Sequence, residues 1–174
     1  YNKIIDISSL SKLASLDYLV LSYNQITDVS PLSGLTKLKN LSLNSNSINS
    51  ILPLSTLTNL EILDLSKNQI NDVSSLSGMI NLRALCLSDN QIIDVSPLSG
   101  LNNMEILFLW GNHIIDLSPL SGLFDLVWLA LRDNRITDLW PLSKLKNLKS
   151  LNMQENNITD VSALSGIMDL RIVL

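Results

Sequence analysis

The stretch NQITDVSPLSGLTKLKNLSLNSNSI, residues 24–48, returns to its own pattern after 22 residues, with Asn24-Gln25-Ile26 answered by Asn46-Ser47-Ile48. Asparagine stands at 2, 24, 46, 68, 90, 112, 134 and 156 without a slip. Two residues after each is an isoleucine, from Ile4 to Ile158, and eight after each is a leucine, from Leu10 to Leu164. Before each complete repeat's asparagine runs Leu-x-x-Leu-x-Leu-x-x-Asn, as in Leu16, Leu19, Leu21 and Asn24. Met104 and Met153 are the departures in these core positions, until Val173 in the last, partial copy. A unit this short cannot bury its own apolar face, so the units must stack into one continuous core.

Each column then acquires a physical role. Strand side chains alternate in direction, so the residues between the inward leucines face out of the sheet. The asparagine has two donors and an acceptor with which to satisfy backbone groups at the bend, and repeated every coil it becomes a ladder. The return path DVSPLSGL at 28–35 recurs at 94–101, and as DLSPLSGL at 116–123. There Ser30 reads as a helix N-cap and Pro31 as the first helical residue, with room for only a turn of 3-10 helix. The fold class expected is α/β: a right-handed leucine-rich repeat solenoid, or horseshoe. It has a parallel β-sheet of seven or eight strands on its concave face and short 3-10 turns on its convex face. Residues 1–174 form one such domain of about eight repeats. The chain starts mid-repeat at Tyr1-Asn2 and stops with Val173 and Leu174 in a core-forming strand, and Ile4 and Leu10 fall in an incomplete first coil. Both terminal caps are missing from it, so the protein is expected to continue beyond both ends or to pair end to end.

Two columns of charge invite a functional reading and admit a plainer one. Asp6, Asp28, Asp72, Asp94, Asp116, Asp138 and Asp160 stand one coil apart. A row of carboxylates could hold calcium, but each could equally cap its own turn through backbone N–H groups. Capping is the reading adopted, with Ser50 filling the third slot as a capping residue. The residue after each strand's first leucine runs Asp17, Lys39, Glu61, Arg83, Glu105, Val127, Lys149, Arg171. Alternating signs up to Glu105 let neighbouring coils pair, which helps register rather than binding. Trp140 replaces a turn serine on the convex side and reads as packing over the next coil.

Composition removes several classes of function. Twelve basic residues against sixteen acidic give a net charge of −4, without the basic face that nucleic acid requires. No apolar run is long enough to cross a membrane, so no membrane insertion is expected. One cysteine, Cys86, excludes an internal disulfide and a cysteine-cluster metal site, and one histidine excludes a two-histidine metal site. Cys86 and His113 fall at different depths, which speaks against a Cys-His dyad. Asp64 is the lone carboxylate in the central concave columns, and no glycine-rich phosphate loop occurs. No enzyme activity, metal or cofactor is expected.

With Asn-x-Ile-x-Asp-Val-x-Pro-Leu in a 22-residue period over essentially its whole length, the chain closely resembles the internalin class of bacterial leucine-rich repeat proteins. That resemblance implies a secreted or wall-attached protein that binds a host or surface protein through its concave sheet. The helical N-terminal cap and the following immunoglobulin-like segment of that class have no counterpart in these residues. A second resemblance, to the intracellular phosphatase-regulatory subunit built from 22-residue repeats, implies a cytoplasmic or nuclear scaffold. Those repeats usually lack the Ser-Pro-Leu-Ser turn. A structural segment of a longer solenoid is the third alternative.

The concave columns carry the candidate site. Most are small or polar, as in Asn40, Ser42, Asn44, Ser66, Ser150, Asn152 and Gln154. Against that background Ile106, Phe108 and Trp110 share one coil, and Trp128, Ala130 and Arg132 occupy the next, with His113 just past the bend. Tryptophan and arginine are enriched where interfaces are anchored, and a contiguous apolar patch on a soluble surface marks an interaction site. These seven residues are the candidate protein-binding site. Tyr18, Val20 and Tyr23 form a smaller patch near the N-terminus.

Overall fold

The computed structural model of the chain describes residues 2–173. Eight three-residue strands form one parallel sheet in sequence order: β1 (Tyr18–Val20), β2 (Asn40–Ser42), β3 (Ile62–Asp64), β4 (Ala84–Cys86), β5 (Ile106–Phe108), β6 (Trp128–Ala130), β7 (Ser150–Asn152) and β8 (Arg171–Val173). Every connection passes through a 3-10 turn of three or five residues, because a 22-residue coil leaves no length for more. From β1 to β7 each residue pairs with the one 22 positions later, as Ile106 does with Trp128. The architecture is the leucine-rich repeat solenoid, with its sheet on the concave side.

The core is the set of inward columns, stacked. Ile26, Leu32, Leu35, Leu38, Leu41 and Leu43 are at most 1% exposed, and their equivalents through the middle coils at most 2%. Met104 fills a leucine position at 0% exposure, which its unbranched, adaptable side chain permits.

The asparagine ladder holds the bends of these coils together. In each rung from Asn24 to Asn156 the Oδ1 accepts the N–H of the preceding coil's isoleucine, at 3.0–3.1 Å. The Nδ2 of Asn112 donates to the carbonyls of Leu109 and Trp110 in its own coil and of Leu87 in the coil before. Asn2, by contrast, is exposed and makes no rung among the described residues. The residue before each rung takes a left-handed backbone: Tyr23, Ser45, Lys67, Asp89, Gly111, Asp133 and Glu155 have φ between 52° and 68°. Only one of the seven is glycine. At Gly111 a Cβ would lie 2.6 Å from Asp89 Oδ1, so the missing side chain admits the neighbouring carboxylate.

All seven carboxylates of the aspartate column cap their turns. Each Oδ1 accepts the backbone N–H two residues on, from Ser8 to Ser162 and including Trp140, at 2.8–2.9 Å. This moves the cap away from the serine: Val29 holds the N-cap position, Ser30 opens the turn and Pro31 is second, because Asp28 already satisfies the Ser30 N–H. Ser50 makes no such bond, so its coil goes without this cap. Trp140, expected to pack, is 62% exposed.

The last coil is one residue short. Arg171 pairs with Ser150, Ile172 with Leu151 and Val173 with Asn152, a step of 21. Asp169 takes a left-handed backbone to close the shorter turn. Ile172, not Val173, therefore stands over the core leucine, and Arg171 is carried away from Lys149, whose like charge would oppose it. Tyr1 and the expected core placement of Leu174 lie outside the described residues.

Candidate functional site

The register brings the central candidates together. Phe108 lies between Cys86 on β4 and Ala130 on β6, two small neighbours that leave its ring half-exposed. Ile106 lies between Ala84 and Trp128, whose indole is 50% exposed. Trp110 falls two residues beyond β5, yet its carbonyl still accepts the Asp89 N–H at 2.8 Å, which keeps it level with Ser88 and Arg132. Ile106, Phe108, Trp110, Trp128 and Ala130 thus form one apolar surface spread over two coils.

Its edges are polar. Arg132 is exposed and ion-paired with Glu155 at 2.6 Å, so it stands as a braced cation at the rim. His113 lies past the bend in the column of Gln91 and Arg135, off the concave sheet, and is half-buried. Ser88 faces out of the sheet and is nevertheless 1% exposed, with no hydrogen-bond partner for its Oγ.

Cys86 and His113 do not form a Cys-His pair. Burial, with a smaller contribution from the charge of Asp64, pushes the Cys86 thiol up to about 11, so it is a protonated thiol at neutral pH. His113 sits on a different face of the solenoid from it.

Alternating charges before the strands form two separate pairs, Lys39–Glu61 at 3.0 Å and Arg83–Glu105 at 2.6 Å. They line a polar groove of about 980 Å³ along one edge of the sheet. Asn59, Asn81 and Asn103 of this groove belong to a second asparagine ladder, continued at Asn147, that the sequence reading missed. Asn59, Asn81, Asn103 and Asn147 each donate to the carbonyl of the residue 23 positions earlier, at 2.8–3.0 Å. Their column is interrupted by Lys37, Asp125 and Asp169, which is why the spacing alone did not announce it.

Comparison with known proteins adds the family context. The family described as leucine-rich repeats (2 copies) matches at residues 14–53, 36–78, 80–122 and 126–166. The chain is similar to the structure of internalin C2 from Listeria monocytogenes, with 40% identity and a TM-score of 0.95 over 99% of this chain and 76% of that one. It is similar also to the internalin inlF of the same organism, with 32% identity and a TM-score of 0.94, covering 98% of this chain. It spans only 51% of that internalin's length. A leucine-rich repeat protein of Leptospira interrogans matches at 26% identity and a TM-score of 0.76, over 99% of this chain and 53% of that one. No curated protein sequence matches.

Proposed function

Because the chain belongs to the internalin-like leucine-rich repeat proteins, themselves protein–protein interaction modules, we propose that it binds a partner protein through its concave sheet. The contact centres on Ile106, Phe108, Trp110, Trp128 and Ala130, with Arg132 and His113 at the rim. One observation carries this reading: Phe108, Trp110 and Trp128 gather on the outward columns of two adjacent coils, Trp128 50% exposed and the other two partly exposed, while their core neighbours Leu107 and Leu109 are fully buried. The core does not need these aromatics, and aromatic anchors ringed by a polar rim are what interfaces use. We place the protein at a bacterial surface or outside the cell, as an adhesin-like module, on family likeness.

Trp110→Ala and Trp128→Ala test it. Each should leave the melting temperature nearly unchanged and cost ~2 kcal/mol or more in affinity for the partner that the parent captures. Large stability losses with unchanged affinity would return both residues to the scaffold.

A further inference from the structure

We propose that β1, β2 and β3 form a second subsite on the same concave face, which takes one basic side chain, a lysine or arginine of the bound protein. This rests on the concave sheet being the binding face and adds a requirement on the partner's chemistry.

The subsite follows from the size of successive residues in two columns. Tyr18, Asn40 and Ile62 stand side by side, as do Val20, Ser42 and Asp64. The middle strand is small where its neighbours are large, so Tyr18 and Val20 make one wall, Ile62 and Asp64 the other, and Asn40 and Ser42 the floor. With strands spaced ~4.8 Å, the walls are roughly 10 Å apart. The slot encloses about 200 Å³, the scale of a single long side chain. Tyr18, Val20 and Ile62 are all exposed, so the apolar walls face solvent rather than core.

Charge decides the occupant. Asp64 accepts the Asn44 Nδ2 at 2.7 Å and the Ser66 N–H at 3.0 Å, both neutral donors. The ion pairs among the described residues join Lys39 to Glu61, Arg83 to Glu105, Arg132 to Glu155 and Lys149 to Asp169, none of them reaching Asp64. The negative charge is held in place and left uncompensated. An apolar side chain filling the slot would strip water from that carboxylate without replacing it, and an acidic one would repel it. A lysine or arginine lays its methylene stem on Val20 and Ile62, presents its cation to Asp64 and passes the Tyr18 ring face. The slot's wall at β3 is two strands from β5, so the partner must carry its basic side chain roughly 10 Å from the group that meets Phe108.

The test uses the whole chain and three small probes: N-acetyl-arginine amide, N-acetyl-lysine amide and the neutral isostere N-acetyl-citrulline amide, followed by amide and methyl NMR shifts. Expected are saturable shifts confined to residues 18–20, 40–42 and 62–64 for the two cations, with citrulline about tenfold weaker. Asp64→Asn should weaken the arginine probe to the citrulline level, and Tyr18→Ala should weaken it without altering the fold, as both retain the parent's melting temperature. Trp110→Ala should leave probe binding unchanged. If the aromatic cluster proves not to bind the partner, the arginine result still stands, so the two failures are separable. Absent or diffuse shifts, citrulline equal to arginine, or indifference to Asp64→Asn would overturn the proposal.

Discussion

Removing one rung of the bend ladder should reveal how much a single buried amide contributes. Asn112 is 4% exposed; its two Nδ2 hydrogens go to the Leu87 and Leu109 carbonyls at 3.0 Å, one of them shared with the Trp110 carbonyl at 3.4 Å, and its Oδ1 accepts one bond. These bonds are not equal. Leu87's carbonyl keeps the Asn90 amide and Leu109's keeps the Asn134 amide, so neither is orphaned in Asn112→Ala. The Ile92 N–H loses its partner, and an unmet buried donor costs ~1–3 kcal/mol. For a chain of this size, at about 2–4 °C per kcal/mol, that lowers the melting temperature by roughly 2–12 °C. Asn112→Asp adds a sign to the test, because it aims a carboxylate at the Leu87 and Leu109 carbonyls. Burial and those oxygens would raise its folded pKa above the unfolded ~3.9. A raised folded pKa favours the fold most below the unfolded value, and the advantage is lost as pH rises through the folded one. The stability deficit against the parent should therefore be larger at pH 7 than at pH 4. Denaturant melts at both pH values measure it. An unchanged midpoint for the alanine variant, or a deficit independent of pH for the aspartate variant, would refute the ladder's role.

Leu107→Ala, at a fully buried position, should cost ~2–5 kcal/mol. Its neighbour in the coil, Trp110→Ala, should stay within ~1 kcal/mol because that side chain is only partly buried and faces away from the leucine core. Denaturant titration of the pair gives the contrast, and equal losses would contradict the assignment of faces. Hydrogen bonds from Ser30 and Ser74 backbone N–H groups hold the Asp28 and Asp72 carboxyls below their ordinary range, and the Ser96 hydroxyl does so foremost for Asp94. Depressed folded pKa values stabilise above the unfolded ~3.9 and are lost as pH falls through the folded values, so melts below pH 4 should decline, less steeply in Asp94→Asn. Stability flat through that window would count against the caps. Cys86, with its thiol at about 11, should react with a disulfide reagent far more slowly at pH 7.5 than a free thiol does, and a rate equal to free cysteine would contradict its burial.

The parts of this structure readable in advance are those that a period can express. A buried leucine column, an asparagine at each bend from Asn24 to Asn156 and an aspartate before all turns but the one after Ser50 recur because stacked coils impose the same environment repeatedly. What escaped had no recurring letter. Tyr23, Lys67, Asp89 and Glu155 share a left-handed backbone, yet a phenol, an ammonium and two carboxylates have no common side-chain chemistry, because the bend is imposed by the asparagine that follows. The short last turn escaped because the asparagine that would mark its register falls beyond residue 174. The cap fell to Asp28 instead of Ser30 because a carboxylate two residues upstream reaches the same N–H, a competition that residue preference alone does not resolve.

The same logic separates scaffold from function. Where coils repeat, a residue's neighbours above and below are copies of itself, and the ladder bonds of Asn90, Asn112 and Asn134 depend on that sameness. A binding surface needs the opposite, a place where adjacent coils differ so that a partner finds one position and not eight. The concave columns meet that need: Asn40 lies between Tyr18 and Ile62, Phe108 between Cys86 and Ala130, Trp128 between Ile106 and Ser150. Since strand alternation keeps these side chains out of the core, they vary without cost to stacking. A partner that read only the backbone of the sheet could slide by one coil of ~4.8 Å. If the proposed sites hold, the slot at Asp64 and the aromatics of the β5 and β6 coils would forbid that slip, one taking a cation and the other an apolar group.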